Sequence, residues 1–96
     1  MTARVIVNAV KTAIKTEAQA IWGEDDKQWI PNLVKRYCEL ESQETGKTIK
    51  TVQRRSQILT ALGENGNPTL ETAARLAACV GGEFQLAFQR TEIKRF

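Results

Sequence analysis

Apolar residues recur every three or four positions through four segments of the chain, a spacing that is typical of amphipathic α-helices. The first such segment is Ala9–Trp22, with Asn8 as the predicted N-cap and Gly23 as the predicted stop. The Val5–Val7 run before it fits either an extended segment or the start of this helix. The side predicted to face solvent carries Lys11, Lys15 and Gln19.

A second helix is predicted after the acidic run Glu24–Asp26, in which Asp25 or Asp26 supplies the N-cap. Acidic side chains are favourable at a helix N-terminus, so this run indicates a helix start rather than a metal site. Pro31 is expected in the first turn, where its missing N–H costs nothing, and Gly46 is expected to end the helix. The apolar stripe consists of Trp29, Ile30, Leu33, Val34, Tyr37 and Leu40.

A third helix is predicted over Ile49–Leu62, with Thr48 as its N-cap. Turn-forming residues follow over Gly63–Pro68, and Gly66 is expected to adopt a positive φ there. The face of this helix predicted to point inward carries Val52, Leu59 and Leu62.

Thr69 is the predicted N-cap of a fourth helix, Leu70–Val80, which ends at the glycine pair Gly81–Gly82. Alanines dominate this segment, and alanine has the highest helix propensity of all residues. The buried face is predicted to consist of Ala73, Leu76, Ala77 and Val80.

After the fourth helix the apolar period changes from helical to alternating. Phe84, Leu86 and Phe88 are each separated by one residue, which predicts a half-buried strand over about 84–90. Its partner is either Val5–Val7 or the same strand of a second copy. Because an unpaired strand edge invites association, we expect pairing across a two-fold dimer.

Composition limits the chemistry that the chain can perform. It has 96 residues, enough for one domain over 1–96, and 26% of them are charged, as in ordinary globular proteins. It has no histidine and only two cysteines, Cys38 and Cys79, so zinc sites of the usual kind and histidine-activated nucleophiles are excluded. We therefore expect no enzyme and no cofactor. The two thiols are isolated, which predicts a cytoplasmic protein. No apolar run reaches 20 residues, so no membrane span is expected.

Positive charge is concentrated in the third helix and the residues just before it. The formal net charge of the whole chain is +3, yet residues 46–62 alone hold four cations and no acid. Threonine, serine and glutamine side chains lie among these cations, and such groups hydrogen-bond to phosphates and base edges. A basic, amide- and hydroxyl-rich helix after a tight turn is typical of a helix-turn-helix protein that binds DNA. The four cations are Lys47, Lys50, Arg54 and Arg55.

The stretch from Arg55 to Leu86, about a third of the chain, resembles the lambda-repressor-like (Xre-type) helix-turn-helix family. It is most similar to HigA-type antitoxins and related addiction-module antidote proteins, in which a G-N-P-[ST]-[LF]-x-T turn follows the recognition helix. Asn67–Thr72 fits that turn, and Ala74–Gly81 fits the helix behind it. Lys47–Gln53 departs from the T-Q-x-x-L-A pattern of the family. Either the second helix of the family corresponds to the longer Pro31–Glu44, or the motif is degenerate here.

The resemblance implies a mainly α, compact domain of four to five helices with a short C-terminal strand and a recognition helix at about 49–62. It also implies a sequence-specific transcriptional regulator that binds a palindromic operator in double-stranded DNA as a homodimer. Such a protein represses its own operon, either as an antitoxin with a cognate toxin or as a phage or plasmid control protein. The residues expected to contact DNA are Lys47, Thr48, Lys50, Gln53, Arg54, Arg55, Ser56 and Gln57.

A second hypothesis is a protein-interaction module that neutralises a toxin or a host enzyme without sequence-specific DNA binding. The acidic segment Glu24–Glu44 motivates it, because complementary charge speeds association with a basic partner.

Overall fold

The computed structural model describes residues 3–82, which form four helices and, within that range, no strand. The mainly helical fold class is thereby confirmed. The second helix packs against each of the other three, and the first also contacts the fourth. The predicted strand at 84–90 lies outside the described residues. The helices are α1 (Ala3–Trp22), α2 (Asp26–Thr45), α3 (Thr51–Leu62) and α4 (Leu70–Cys79).

The hydrophobic core lies along α2, whose predicted apolar stripe is confirmed, with Ile30 and Leu40 half-buried and the other members buried. The core consists of Ile14, Ala18, Trp29, Leu33, Val34, Tyr37, Cys38, Ile58, Leu76 and Cys79. Both cysteines are buried free thiols, and burial raises the pKa of Cys79 to about 12.

None of the helices within residues 3–82 combines the length and the apolar character that crossing a membrane requires.

The first helix begins earlier than its predicted N-cap. Val5–Val7 is helical, and Asn8 lies inside α1 rather than at its start. A second correction concerns Lys11, which the apolar spacing assigned to the solvent side and which is 93% buried. Both corrections have one cause, because Arg4 and Lys11 reach from α1 to the turn between α3 and α4. These tertiary contacts favour helix where the local sequence has no capping signal.

Asp25 is the N-cap of α2, where its carboxylate accepts a hydrogen bond from the Lys27 backbone N–H at 2.9 Å. Gly46 ends the helix in the left-handed conformation, with φ +70°, as predicted. The prediction for Pro31 is wrong by one turn. It is the sixth helical residue, so α2 tolerates the loss of one interior hydrogen bond there.

The third helix differs most from its prediction. It begins at Thr51 with Lys50 as the N-cap, not after Thr48, because Ile49 is still held against α2 in a non-helical segment. Its buried residues are Ile58 and Ala61. Of the three residues predicted to point inward, only one is even half-buried, so the predicted face is wrong. The exposed fractions are 82% for Val52 and 36% for Leu59, and Leu62 is half-buried.

Thr69 caps α4 as predicted, by accepting a hydrogen bond from the Thr72 backbone N–H at 3.2 Å. The predicted buried residues Ala73 and Leu76 are confirmed. Ala77 and Val80 are half-buried instead of buried, and α4 ends one residue before Val80.

The expectation of a positive φ at Gly66 is wrong, since positive φ among the described glycines occurs at Gly23, Gly46 and Gly81. Gly66 is required for space instead. A Cβ there would collide with the backbone carbonyls of Thr60 and Ala61, so the turn packs directly on the end of α3.

Candidate nucleic-acid interface

Ser42 organises the connection between α2 and α3. Its hydroxyl donates a hydrogen bond to the Cys38 carbonyl at 2.7 Å and accepts one from the Ile49 backbone N–H at 2.9 Å. The Ser42 carbonyl also accepts a hydrogen bond from the Gly46 N–H at 2.9 Å. One residue of α2 therefore fixes both ends of the turn, and with it the starting point of α3.

The first turn of α3 uses one of the predicted DNA-binding residues for capping. The side chain of Gln53 accepts a hydrogen bond from the Lys50 backbone N–H at 2.7 Å. This bond satisfies a donor at the helix start that has no partner within the helix. Gln53 thus has a structural role, and its amide is exposed on the side of α3 away from the core.

Arg54 faces inward and is bound to α2. Its Nε donates to both carboxylate oxygens of Glu41 at 3.0 Å, and its Nη2 lies 2.9 Å from one of them. Glu41 is 94% buried, and its hydrogen bond with Arg54 holds the pKa of the carboxyl below its usual value. Bidentate pairs of this kind fix orientation as well as charge. The geometry assigns Arg54 to holding α3 against α2.

Arg75 of α4 completes this cluster and, unlike the half-buried Arg54, is buried. Its guanidinium donates to the Tyr37 hydroxyl at 2.9 Å and forms ion pairs with Glu44 at 2.6 Å and Glu71 at 3.0 Å. It also lies 3.4 Å from the Glu41 carboxylate and 5.2 Å from the centre of the Tyr37 ring. Hydrogen bonding to these carboxylates raises the pKa of Arg75, so it stays charged. The arginine cluster is defined as Tyr37, Glu41, Glu44, Arg54, Glu71 and Arg75.

The other end of α3 is held by cations from α1. Lys11 Nζ donates to the carbonyls of Gly63 at 2.6 Å and Gly66 at 2.7 Å, and Arg4 donates to those of Glu64 and Gly66. Burial and the charge of Arg4 lower the pKa of Lys11. The contacts place two positive groups beyond the C-terminus of α3, where the helix dipole is negative. We call these five residues the carbonyl clamp.

The outer face of α3 and the linker before it carry the remaining predicted residues. Arg55 and Ser56 are exposed on the same side of the helix as Val52 and Leu59, at the spacing of successive turns. Among residues 3–82, no ion pair involves the charged members of this set. The exposed predicted residues on the linker and on α3, apart from Gln53, are Lys47, Thr48, Lys50, Arg55, Ser56 and Gln57.

Two grooves flank the outer face. The larger lies between α2 and the start of α3, with Lys35, Glu39, Lys50 and Val52 on its walls. The smaller lies between α3 and the start of α4 and is lined by Gln57, Thr60, Ala61, Asn67, Pro68, Thr69 and Thr72. Neither resembles a metal site, since no group of three or more potential ligands occurs within residues 3–82.

Sequence reasoning missed the residues that hold α3 from behind. Arg75 carried one signal, its i,i+4 spacing from Glu71, which is typical of a helical ion pair but says nothing of burial. Lys11 carried none, because its partners are backbone carbonyls. Its true role depends on the fold that brings α1 to the turn after α3.

In comparisons with family models, curated proteins and solved structures, the chain matches none of them. The residues themselves therefore carry the functional conclusion.

Proposed function

We propose that the chain is a sequence-specific DNA-binding transcriptional regulator that inserts α3 into the major groove of a palindromic operator as a homodimer. It represses its own operon, as an antitoxin or as a phage or plasmid control protein. One observation carries the proposal. Three exposed cations, Lys47, Lys50 and Arg55, lie on α3 and the linker that leads into it, with no acidic residue between 46 and 62.

The acidic residues near α3 support the same proposal because they are paired with arginines. Glu41 is buried behind the helix, and Glu44 and Glu71 are both held by Arg75. Their charge is thus largely compensated within the arginine cluster, so it repels an approaching phosphate backbone less than three free carboxylates would. Cations on the outer face are left to attract DNA phosphates.

The roles of the predicted residues are revised accordingly. Lys47, Thr48 and Lys50 suit phosphates on the linker side, and Arg55, Ser56 and Gln57 suit base edges or groove atoms. Arg54 positions the helix through Glu41 rather than contacting DNA. Removing it tests the fold of the interface rather than its chemistry, and we therefore leave it intact in the experiment.

The test selects DNA with the purified full chain, from genomic fragments whose recovered sequences are determined. The variant Lys50→Gln/Arg55→Gln removes two exposed cations from the candidate interface. Its matched control, Lys15→Gln/Lys27→Gln, removes two exposed cations near the start of α2, where the Lys15 ammonium lies beside the Trp29 ring. This site is remote from the candidate interface, because α2 is about 30 Å long and α3 follows its other end. Both variants lose the same formal charge.

We expect the wild type and the control to enrich a palindrome near the protein's own promoter, and the interface variant to lose it. The slope of log affinity against log salt should become shallower by about 1 in the interface variant, since Lys50 is its one residue assigned to a phosphate and each phosphate contact contributes roughly 0.9. Equal binding by both variants, or fragments without a shared motif, would show that α3 does not recognise an operator.

A second candidate function, a protein-interaction module that masks a toxin or host enzyme, is favoured by the exposed apolar side chains. Val52 is 82% exposed and Leu70, at the start of α4, is 70% exposed. The acidic segment supports this candidate less, because Asp25 caps α2, and Glu41 and Glu44 are bound within the arginine cluster. Stoichiometric co-purification with a protein, together with no DNA enrichment, would decide for it.

A further inference from the structure

Val52 is the most exposed large apolar residue within residues 3–82, at 82%. It is the second residue of α3, so it lies at the helix start that a helix-turn-helix protein directs at base edges. Leu59, two turns further along the same side, is also partly exposed, and Arg55 and Ser56 lie between them. The outer face therefore alternates apolar contacts with groups that donate hydrogen bonds.

The surroundings of Val52 indicate which partner it contacts. Lys50 lies just before it on the exposed linker and Arg55 follows within one turn, with no described ion pair for either cation. An apolar protein surface seated on Val52 would have to remove water from both cations without compensation. A nucleic acid places phosphates beside the cations and bases beside the side chain between them.

Thymine offers a specific apolar contact in the major groove. Its C5-methyl group projects into that groove, where each base pair presents a different pattern of donors, acceptors and methyl groups. A branched side chain without a polar atom, such as valine, gains nothing from the donors and acceptors there but gains by covering a methyl group.

We propose that Val52 determines specificity for thymine, by covering the C5-methyl group of one thymine in each half-site of the DNA. The inference rests on the proposed function, and it names the base that this position of α3 selects. Arg55, one turn away, then lies toward a neighbouring base pair or its phosphate.

The experiment removes the methyl group alone. The highest-affinity duplex that the wild-type chain selects from a random library is resynthesised with deoxyuridine in place of each thymidine in turn. Affinities are measured for the wild type, for Val52→Ala and for the matched control Leu70→Ala, which truncates another exposed apolar residue. Thermal unfolding of all three proteins shows whether the fold is intact, and truncation at such exposed positions should change it little.

We expect deoxyuridine at one position per half-site to weaken wild-type binding about 3- to 10-fold, the scale of one buried methyl group. Val52→Ala should bind the thymidine duplex with a similar loss and should not distinguish thymidine from deoxyuridine at that position. Leu70→Ala should behave like the wild type.

Two results would overturn the inference while leaving the proposed function intact. In one, the wild type binds its duplex specifically but no deoxyuridine substitution weakens it. In the other, Val52→Ala retains the whole methyl effect, so another side chain covers the thymine. Failure of the library to yield any shared sequence is a different result, because it rejects sequence-specific binding itself and with it the role of Val52.

Discussion

Two buried cations support α3, and they are stabilised in different ways. Arg75 acts indirectly, through the Glu41 carboxylate that also binds Arg54 of α3, whereas Lys11 binds the turn that follows the helix. Arg75 is surrounded by carboxylates and a phenol, so its charge is matched by Glu41, Glu44 and Glu71. Lys11 has no carboxylate among its described hydrogen-bond partners and donates to the carbonyls of Gly63 and Gly66 beyond the C-terminus of α3. Arg75 joins α4 to α2 through opposite charges, and Lys11 joins α1 to a turn through backbone dipoles.

Both supports leave the outer face of α3 exposed. In both clusters the contacts are made on the side of α3 that faces α2 or beyond the end of the helix. Arg54 is the one cation of α3 drawn into this support, through Glu41. Arg55, which follows it, makes no described ion pair. Adjacent arginines therefore serve the fold and the surface separately.

The largest effect is expected when the charged cluster loses its centre. Arg75→Met keeps the apolar length of the side chain but leaves Glu41 buried with Arg54 as its single cation. It should lower the free energy of unfolding by about 3 kcal/mol, as for other buried ion pairs that lose one partner. Urea unfolding at neutral pH measures this.

The control for this change is Arg36→Met, because Arg36 forms an ion pair with Glu39 in which both side chains are nearly half exposed. Such a pair contributes about 0–1 kcal/mol. Equal effects of the two substitutions would mean that burial adds nothing to the arginine cluster, contrary to the comparison.

The carbonyl clamp should be the weaker of the two supports. Lys11→Met retains the stem of the side chain but removes the hydrogen bonds that Lys11 donates to the carbonyls of Gly63 and Gly66. We expect the thermal midpoint to fall by roughly 4–8 °C, since losing about 1 kcal/mol of net hydrogen bonding has an effect of that order in a small domain. Lys15→Met is the control, because Lys15 is exposed and its ammonium lies 5.9 Å from the Trp29 ring. If Lys11→Met lowered the thermal midpoint more than Arg75→Met does, the carbonyl clamp would be the stronger support.

The sequence predicts the parts of the fold that depend on local contacts, but not the two buried cations. The stripe of α2 and the caps Asp25 and Thr69 follow from local spacing and short-range hydrogen bonds, so pattern reasoning found them. Lys11 and Arg75 are buried through contacts between residues more than 30 positions apart. Their charges suggested solvent, and only the fold supplies their partners.

The inward-facing side of α3 was predicted wrongly for a related reason. Val52 and Leu59 look like core positions because they are large and apolar, whereas Ile58 and Ala61 are the residues that α3 buries. Sequence patterns assume that the more apolar side points inward. That assumption fails on a helix whose inner side carries Arg54 for an ion pair, and whose outer side presents apolar groups to a partner under the function proposed above.

A smaller, pH-dependent effect distinguishes the charged cluster from the clamp. Because the folded state holds the pKa of Glu41 below its usual value, the stabilisation is complete above pH 4.5 and is lost as the pH falls through the lowered value. Glu41→Gln cannot lose it on acidification. The difference in urea midpoint between the wild type and Glu41→Gln should therefore shrink from pH 7 to pH 3. A difference that stays constant over this range would show that the charge of Glu41 is not what holds Arg54.

The smallest effect is expected at the exposed edge of the clamp. Arg4 donates to the Glu64 and Gly66 carbonyls from the surface, so Arg4→Ala should leave the thermal midpoint within about 2–4 °C of the wild type. Its effect should be local. The Gly66 backbone N–H donates to the Gly63 carbonyl at 3.0 Å, and this bond opens more often when the turn loses a contact to α1. Hydrogen exchange at Gly66 should therefore accelerate in Arg4→Ala and stay unchanged in Arg36→Ala, which alters an exposed cation of α2. Unchanged exchange in both would mean that Lys11 alone holds the turn, and that the clamp consists of one cation.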